Sequence, residues 1–172
     1  YQEALRFYRA IDWTEVVVKA VQLLKEHASV QAELQAAVQQ LLVDEYQDFN
    51  PLEQDLVSHI VSSHNGLCVV GDDDQSIFET FRFANPAGLI DFSLRYGSAQ
   101  TLPLTVSNRC PPKIIEKALR VIQCNTKRAP KTLKPRDPQK IGDASIMRFS
   151  SKKQEIGWTV KKITELVAKG HA

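Results

Sequence analysis

The stretch "LLVDEYQDFNP", Leu41 to Pro51, decides the fold class. A short apolar run ends in two adjacent carboxylates, Asp44 and Glu45, and the signals of a helix start follow at once. Asn50 is a good N-cap, Pro51 suits the first helical position, and a glutamate lies three residues after the cap. The stretch therefore predicts a short buried strand followed directly by a helix.

The same ending occurs a second time in "GLCVVGDDDQ", which begins at Gly66. Two such strands with a helix between them predict a parallel crossover unit, and ligands bind at the carboxyl ends of parallel strands. Adjacent carboxylates repel each other unless a cation or a proton offsets their charge, and Mg²⁺ needs only one or two of them. The plainer interpretation is a pair of exposed acids at a turn.

The rest of the chain predicts further helices and strands and so an α/β fold. Helices are expected over about residues 14–27 and 30–38, with a shorter helix before them. In each of four predicted helices the apolar residues share one face: Trp13, Val17, Val21 and Leu24; Leu52, Leu56 and Ile60; Ile114, Ile115, Ala118 and Ile122; and Ile156, Val160, Ile163 and Val167. Two later short strands are predicted at "TLPLTV" and "ASIMRF".

The net charge of +2 hides an asymmetry along the chain. Residues 1–102 carry 6 Lys+Arg against 15 Asp+Glu, whereas residues 103–172 carry 16 against 5. Residues 126–140, with three prolines and six basic side chains, predict an extended basic loop. The pattern suggests a basic surface for a polyanion beside an acidic part that holds cations, and chance with solvated faces is the alternative.

Composition favours a soluble globular protein, with 43% hydrophobic and 24% charged residues. No apolar run approaches the length of about 20 residues that a membrane span needs, and the first residues have no signal-peptide pattern. Cys68, Cys110 and Cys124 are too few and too far apart for a disulfide framework or a zinc knuckle. We expect a cytoplasmic protein with no membrane partner.

Three ordered motifs carry a resemblance to a known family. "VDEYQDFNPLEQ", "VVGDDDQSIFETFRFA" and "LTVSNRCPPKI" together resemble the UvrD/Rep/PcrA type of superfamily 1 DNA helicase, over almost the whole chain. "DEYQD" looks like the Walker B motif, "VGDDDQSI" like motif III and "LTVSNR" like motif IV. The resemblance implies parts of two RecA-like P-loop NTPase domains. Residues 1–98 would end the first, with some of its helical subdomain at the N-terminus, and residues 99–172 would begin the second.

The resemblance also implies roles for residues around ATP. Asp44 would help to hold Mg²⁺, and Glu45 would be the catalytic base. Gln75 would contact the terminal phosphate, and Arg109 would reach the phosphates as a catalytic and ATP-binding residue. Asn108 stands where the family has an adenine-stacking tyrosine and is assigned to ATP binding. From the residues alone, Gln75 capping a turn and Arg109 in a surface ion pair remain alternatives.

Single-stranded DNA would contact Phe78, Phe81 and Arg82, the aromatic and basic positions of the family's motif III region. Base stacking on aromatic side chains tolerates any sequence and contributes about 1–3 kcal/mol per base. Taken without the motif, both phenylalanines are more typical of a core. "FETF" has one residue more than the family pattern, and Phe83 replaces its usual glycine.

The sequence contains no G-x-x-x-x-G-K-[ST] loop, and the family's motifs V and VI are also missing. We therefore expect an internal segment that neither hydrolyses ATP nor unwinds DNA alone. The resemblance implies a nucleoid-associated parent that uses ATP and Mg²⁺ to move 3′ to 5′ on single-stranded DNA or a single-strand/duplex junction, in DNA repair, recombination or replication. The alternative is a catalytically inactive module, derived from a helicase, that binds nucleic acid or protein.

Overall fold

The computed structural model describes residues 1–62, 66–142 and 144–170. The helices and strands, in chain order, are α1 Gln2–Tyr8, α2 Trp13–Glu26, α3 Ala28–Ala37, β1 Gln40–Val43, α4 Pro51–Ile60, β2 Gly66–Val69, α5 Glu79–Arg82, α6 Ala87–Ile90, α7 Phe92–Arg95, β3 Val106–Ser107, α8 Pro112–Ile122, β4 Lys134–Pro135 and α9 Lys152–Ala168. Single 3₁₀ turns lie at Tyr46–Asp48 and Asp73–Gln75. The chain is therefore a mixed α/β protein.

The chain divides into two compact units. The first comprises Tyr1–Thr105 and Val121–Thr132, and the second comprises Val106–Arg120 and the residues from Leu133 onward. Residues 121–132, called the basic segment, thus belong to the first unit although they lie beyond β3 in the sequence, and they contain residues 126–132 of the predicted basic loop. The assignment of residues 1–98 and 99–172 to two RecA-like domains stays a prediction.

The predicted strand–helix–strand unit is present in the first unit. Strands β1 and β2 pair in parallel, with Val43 opposite Val69 at their carboxyl ends. Helix α4 connects them and begins with the predicted capping box: Asn50 Oδ1 accepts from the backbone N–H of Glu53 at 3.0 Å, and the Asn50 N–H donates to Glu53 Oε2 at 2.9 Å. The carboxyl ends of the two strands therefore lie side by side.

The core beneath this edge is small. Val43, Tyr46 and Val57 are buried at its centre, and Tyr46 packs its ring against Phe49 and Phe92 with centroids 5.4 and 5.8 Å apart. Burial raises the pKa of Tyr46 to about 12, so its hydroxyl stays neutral. These contacts fix the turn at Tyr46–Asp48, which directly follows the two carboxylates.

Helix α2 agrees with the amphipathic helix predicted over residues 14–27. Asp12 caps it by accepting from the Glu15 N–H at 2.7 Å, and the helix packs against α3 and α4 with Val21 and Leu24 buried. Trp13 was predicted on the same face as these residues, but it is 89% exposed at the first position of the helix. The contact between α2 and α4 supports α4, the crossover helix that connects β1 and β2.

The second unit contains less sheet than the sequence predicts. Of "TLPLTV" only Val106 enters a strand, because the partner that satisfies its backbone, β4, is two residues long and lies in the segment predicted as a basic loop. "ASIMRF" is not a strand: no neighbouring strand pairs with it in the described chain, and Ile146 is fully exposed. Helix α9 forms as predicted, but none of its side chains is buried.

Among the described residues no disulfide joins Cys68, Cys110 and Cys124. None of the helices in the described ranges combines the length and the apolar character that a membrane crossing requires.

Candidate active site

The acidic end of β1 is an exposed turn with an unusual backbone. Asp44 and Glu45 follow the last strand residue, and both are exposed. Glu45 has φ 53° and ψ 40°, in the left-handed region that a side chain disfavours. Its N–H donates to Asp44 Oδ1 at 2.9 Å. Strain of this kind concentrates at functional sites, where it aims a side chain in a required direction.

The residues at this edge fit the magnesium ion that the resemblance implies. Asp44 offers an exposed carboxylate whose second oxygen accepts no hydrogen bond within the described residues. The same residues contain no group of three or more His, Cys, Asp or Glu side chains arranged to hold a metal. Because Mg²⁺ keeps several waters and takes one or two protein carboxylates, a single Asp44 ligand is compatible with it.

Gln47 joins the ends of β1 and β2, a role that was not predicted from the sequence. Its side chain is 1% exposed, and its Nε2 donates to Glu45 Oε2 at 2.6 Å. Its Oε1 accepts from the Asp72 N–H at 3.0 Å. The only sequence signal was its position within "DEYQD". Gln47 connects the predicted catalytic base to the loop that carries Gln75.

Gln75 is exposed beside this connection. Its Nε2 donates to Asp72 Oδ2 at 2.6 Å, and its backbone N–H donates to the Asp72 carbonyl at 2.9 Å. The side chain therefore closes the turn after β2, as the plainer interpretation expected, while remaining at the surface near the acidic end of β1. Asp44, Glu45 and Gln75 belong to one network within the first unit.

Two basic side chains of the segment at 121–132 bind the three aspartates after β2. Arg128 pairs with Asp74 through Nε at 3.0 Å and Nη2 at 2.5 Å. Lys131 Nζ lies 2.5 Å from both Asp72 Oδ1 and Asp73 Oδ1, and 3.1 Å from Asp74 Oδ2. These pairs were not predicted from the sequence, although the opposite charges of its two halves were the signal for them.

In this cluster the neighbouring groups of opposite charge determine the direction in which each pKa is shifted. Burial alone would raise the pKa of Asp72, but hydrogen bonds from Lys131 and Gln75 outweigh it and the pKa is lowered. Burial alone would also raise the pKa of Asp74, but hydrogen bonds from Arg128 and Lys131 outweigh it, so the pKa of Asp74 is lowered as well. Burial would lower the pKa of Lys131, yet its carboxylate partners raise it. All three groups are therefore held in their charged forms.

The predicted DNA-binding side chains lie on and around α5. Phe81 is 86% exposed and Phe78 is 37% exposed, so Phe81 is not part of a core. Arg82 Nη2 lies 3.8 Å from Glu53 Oε1. Phe83 has φ 55°, which explains why a glycine suits this position. The roles of these residues in DNA binding remain predictions.

Asn108 and Arg109 belong to the second unit. Asn108 Oδ1 accepts from Arg136 Nη1 at 3.0 Å in an open depression of about 550 Å³ that Cys110 and Lys140 also line. Arg109 is exposed, and its carbonyl accepts from Lys140 Nζ at 2.9 Å. Its guanidinium makes no ion pair within the described residues.

His59 and His64 belong to none of the three motifs, so we expect both to be structural. His59 lies in α4, where its Nε2 is 3.8 Å from Asp55 Oδ1 and Gln35 Nε2 donates to its carbonyl. His64 lies outside the described residues. None of the contacts of His59 with the described residues reaches the acidic end of β1.

The fold and the site define a mixed α/β protein that places carboxylates and a polar loop at the carboxyl end of parallel strands, the edge at which such sheets bind ligands. Comparison with known families confirms the resemblance that the three motifs carry: the sequence model of the UvrD/REP helicase N-terminal domain matches residues 1–97. This chain belongs to the UvrD/REP helicase family.

Individual relatives are helicases by name. The chain is 32% identical over 133 residues to a putative ATP-dependent DNA helicase, YjcD, of Bacillus subtilis. It is 33% and 35% identical over 133 residues to the ATP-dependent DNA helicases PcrA of Leuconostoc citreum and Staphylococcus aureus. Each match covers 77% of this chain but only 17% or 18% of the relative, so the chain spans less than a fifth of the length of these proteins.

Proposed function

We propose that this chain is an internal part of an ATP-dependent DNA helicase that couples ATP hydrolysis to 3′ to 5′ movement on single-stranded DNA. The parent protein would act in DNA repair, recombination or replication. The observation that carries the proposal is the placement of Asp44 and Glu45 at the carboxyl end of β1, with Gln75 on the loop after the adjacent parallel strand.

In this proposal ATP and Mg²⁺ supply the reacting phosphate and the positive charge that neutralises it. Asp44 presents its exposed carboxylate to the metal. Glu45 accepts the proton of the attacking water, for which an exposed carboxylate on a rigid turn is suited. Gln75 donates an N–H toward the terminal phosphate, exchanging its present bond to Asp72 for one to the nucleotide.

Arg109 would stabilise the negative charge that develops on the phosphates, since a guanidinium offers several donors in a fixed plane. Asn108 would contact the nucleotide with its side-chain amide. Phe78 and Phe81 would stack on bases, and the exposure of Phe81 supports this role. Arg82 would bind the DNA backbone beside them.

The proposed parent contains the phosphate-binding loop and motifs that this sequence does not. The short length relative to the named helicases supports that interpretation. In it the two units are parts of two RecA-like domains, and the 172-residue chain alone has no ATPase activity because the backbone cradle for the phosphates is missing.

ATP hydrolysis by the full-length protein, with and without single-stranded DNA, tests this function. We expect stimulation by DNA and no turnover by the 172-residue chain. Duplexes with a 3′ or a 5′ single-stranded tail test the direction, and only the 3′-tailed duplex should be unwound. A full-length protein that binds DNA but never hydrolyses ATP would favour the binding-module alternative.

A further inference from the structure

We propose that Gln47 is a positioning residue that holds the Glu45 carboxylate and couples it to the loop of Gln75. The inference rests on the proposed function, because it assigns Glu45 the role of catalytic base. It concerns a residue whose side chain would itself touch neither ATP nor DNA.

The bonding pattern of Gln47 requires a primary amide. Glu45 offers a carboxylate oxygen that only accepts, and the Asp72 backbone offers an N–H that only donates. A side chain between them must donate to one and accept from the other. Glutamine does both, with distances of 2.6 and 3.0 Å, and these partners fix which end of its amide faces Glu45. A glutamate would accept at both ends, and an aliphatic side chain would satisfy neither group.

The surroundings of Gln47 hold this side chain in one place. It is almost fully buried, and its backbone carbonyl accepts from Ser76 Oγ at 3.4 Å. Gly71 leaves the space for it: a Cβ at position 71 would lie 2.6 Å from Gln47 Oε1, closer than such atoms approach. The lack of a side chain at Gly71 is therefore needed for Gln47 to occupy this position.

The connection continues from Gln47 to Gln75. Gln47 binds the Asp72 N–H, and the Asp72 carboxylate accepts from Gln75 Nε2 at 2.6 Å. One buried amide and one aspartate thus separate the proposed catalytic base from the proposed contact to the terminal phosphate. When Gln75 Nε2 turns to the nucleotide, its backbone N–H still donates to the Asp72 carbonyl at 2.9 Å, so the loop of Gln75 stays attached to Gln47 through Asp72.

The chain provides a matched control in a second buried glutamine. Gln54 is 2% exposed, its Nε2 donates to the Asn85 carbonyl at 2.8 Å, and its Oε1 accepts from Asn85 Nδ2 at 3.0 Å. A Cβ at Gly88 would collide with the Gln54 amide just as one at Gly71 would collide with Gln47. Gln54 is buried to a similar extent and its amide also donates and accepts hydrogen bonds, but none of its bonds involves Glu45.

The test compares Gln47→Leu, Gln47→Glu and Gly71→Ala with Gln54→Leu and Gly88→Ala in the full-length protein. For the first three we expect kcat for ATP with single-stranded DNA to fall by about tenfold to a hundredfold, with KM for ATP changed by less than about threefold, since misplacing a catalytic group by about 1 Å has effects of this size. The two controls should lose stability while kcat stays within about twofold of the wild type.

A second readout does not depend on activity. Hydrogen exchange of the Asp72 amide in the 172-residue chain should accelerate by about tenfold or more in Gln47→Leu and remain unchanged in Gln54→Leu, because only the former removes its acceptor. Gln47→Glu keeps an oxygen at this position, so it should keep the protection and still lose kcat.

The outcomes separate the inference from the function on which it rests. If wild-type protein turns over ATP and Glu45→Gln does not, while Gln47→Glu and Gly71→Ala keep a kcat within about twofold of the wild type, Gln47 is merely structural and the inference is wrong. If Glu45→Gln itself remains as active as the wild type, the proposed function fails before Gln47 is considered.

Discussion

Arg128 binds Asp74 in a two-point ion pair, with Nε 3.0 Å from Oδ1 and Nη2 2.5 Å from Oδ2. The residues lie 54 positions apart in the sequence, so this contact and its neighbours at Lys131 attach the basic segment to the loop after β2. Acidic residues from the first half of the sequence and basic residues from the second half therefore form ion pairs within the first unit, beside the candidate site.

Removal of the Lys131 ammonium should destabilise the first unit. Lys131 is the cation nearest to Asp73, whose side chain is only 4% exposed. We expect Lys131→Ala to lower the free energy of unfolding by about 1–2 kcal/mol, because a mostly buried carboxylate loses its charged partner. Urea unfolding of the 172-residue chain measures this. Lys127→Ala, at an exposed neighbour in the same segment, serves as control and should have no effect above about 0.5 kcal/mol.

The same cluster predicts how stability depends on pH. Asp72 and Asp74 have pKa values lowered below the ordinary 3.8. Their stabilising contribution is therefore complete above this value and is lost as pH falls below it. Urea midpoints at about pH 6 and about pH 3 should differ more in the wild type than in Lys131→Ala. Equal differences in the two proteins would show that the cluster does not contribute.

Phe83 should be replaceable by glycine with a gain in stability. Its φ of 55° is disfavoured for a residue with a Cβ, and its side chain is 76% exposed, so little burial is lost. We expect Phe83→Gly to stabilise the chain by up to about 1 kcal/mol. Phe81→Gly is the control: it lies inside α5, where glycine is unfavourable, and should destabilise. Thermal unfolding of the two variants should therefore shift in opposite directions.

Phe81 should contribute to binding of single-stranded DNA. Loss of one stacked base contact weakens binding by about 1–3 kcal/mol, so we expect Phe81→Ala in the full-length protein to raise Kd between about fivefold and about 150-fold. Fluorescence anisotropy with a labelled oligonucleotide measures this. Leu94→Ala removes an apolar side chain of similar exposure in α7 and should leave Kd unchanged. Equal effects of the two substitutions would contradict a specific stacking role.

Sequence patterns predicted those helices and strands whose signals lie within a few neighbouring residues. The capping signals of α4 and the short apolar runs of β1 and β2 depend on neighbouring residues, and these predictions are confirmed. "ASIMRF" failed because a strand needs a partner, which periodicity does not reveal. Gln47 and Lys131 escaped notice for a similar reason. The Asp72 N–H that binds Gln47 lies 25 positions away, and Asp72 and Asp73, which bind Lys131, lie 59 and 58 positions away.

Substitution of Glu45 by glutamine in the full-length protein is the most direct test of the account. The change keeps the size of the side chain and removes the carboxylate that would accept the proton of the attacking water. DNA-stimulated ATP hydrolysis should fall by about a hundredfold or more, while the affinity for single-stranded DNA stays within about twofold. A Glu45→Gln protein that hydrolyses ATP at the wild-type rate would show that the acidic end of β1 is not the catalytic site.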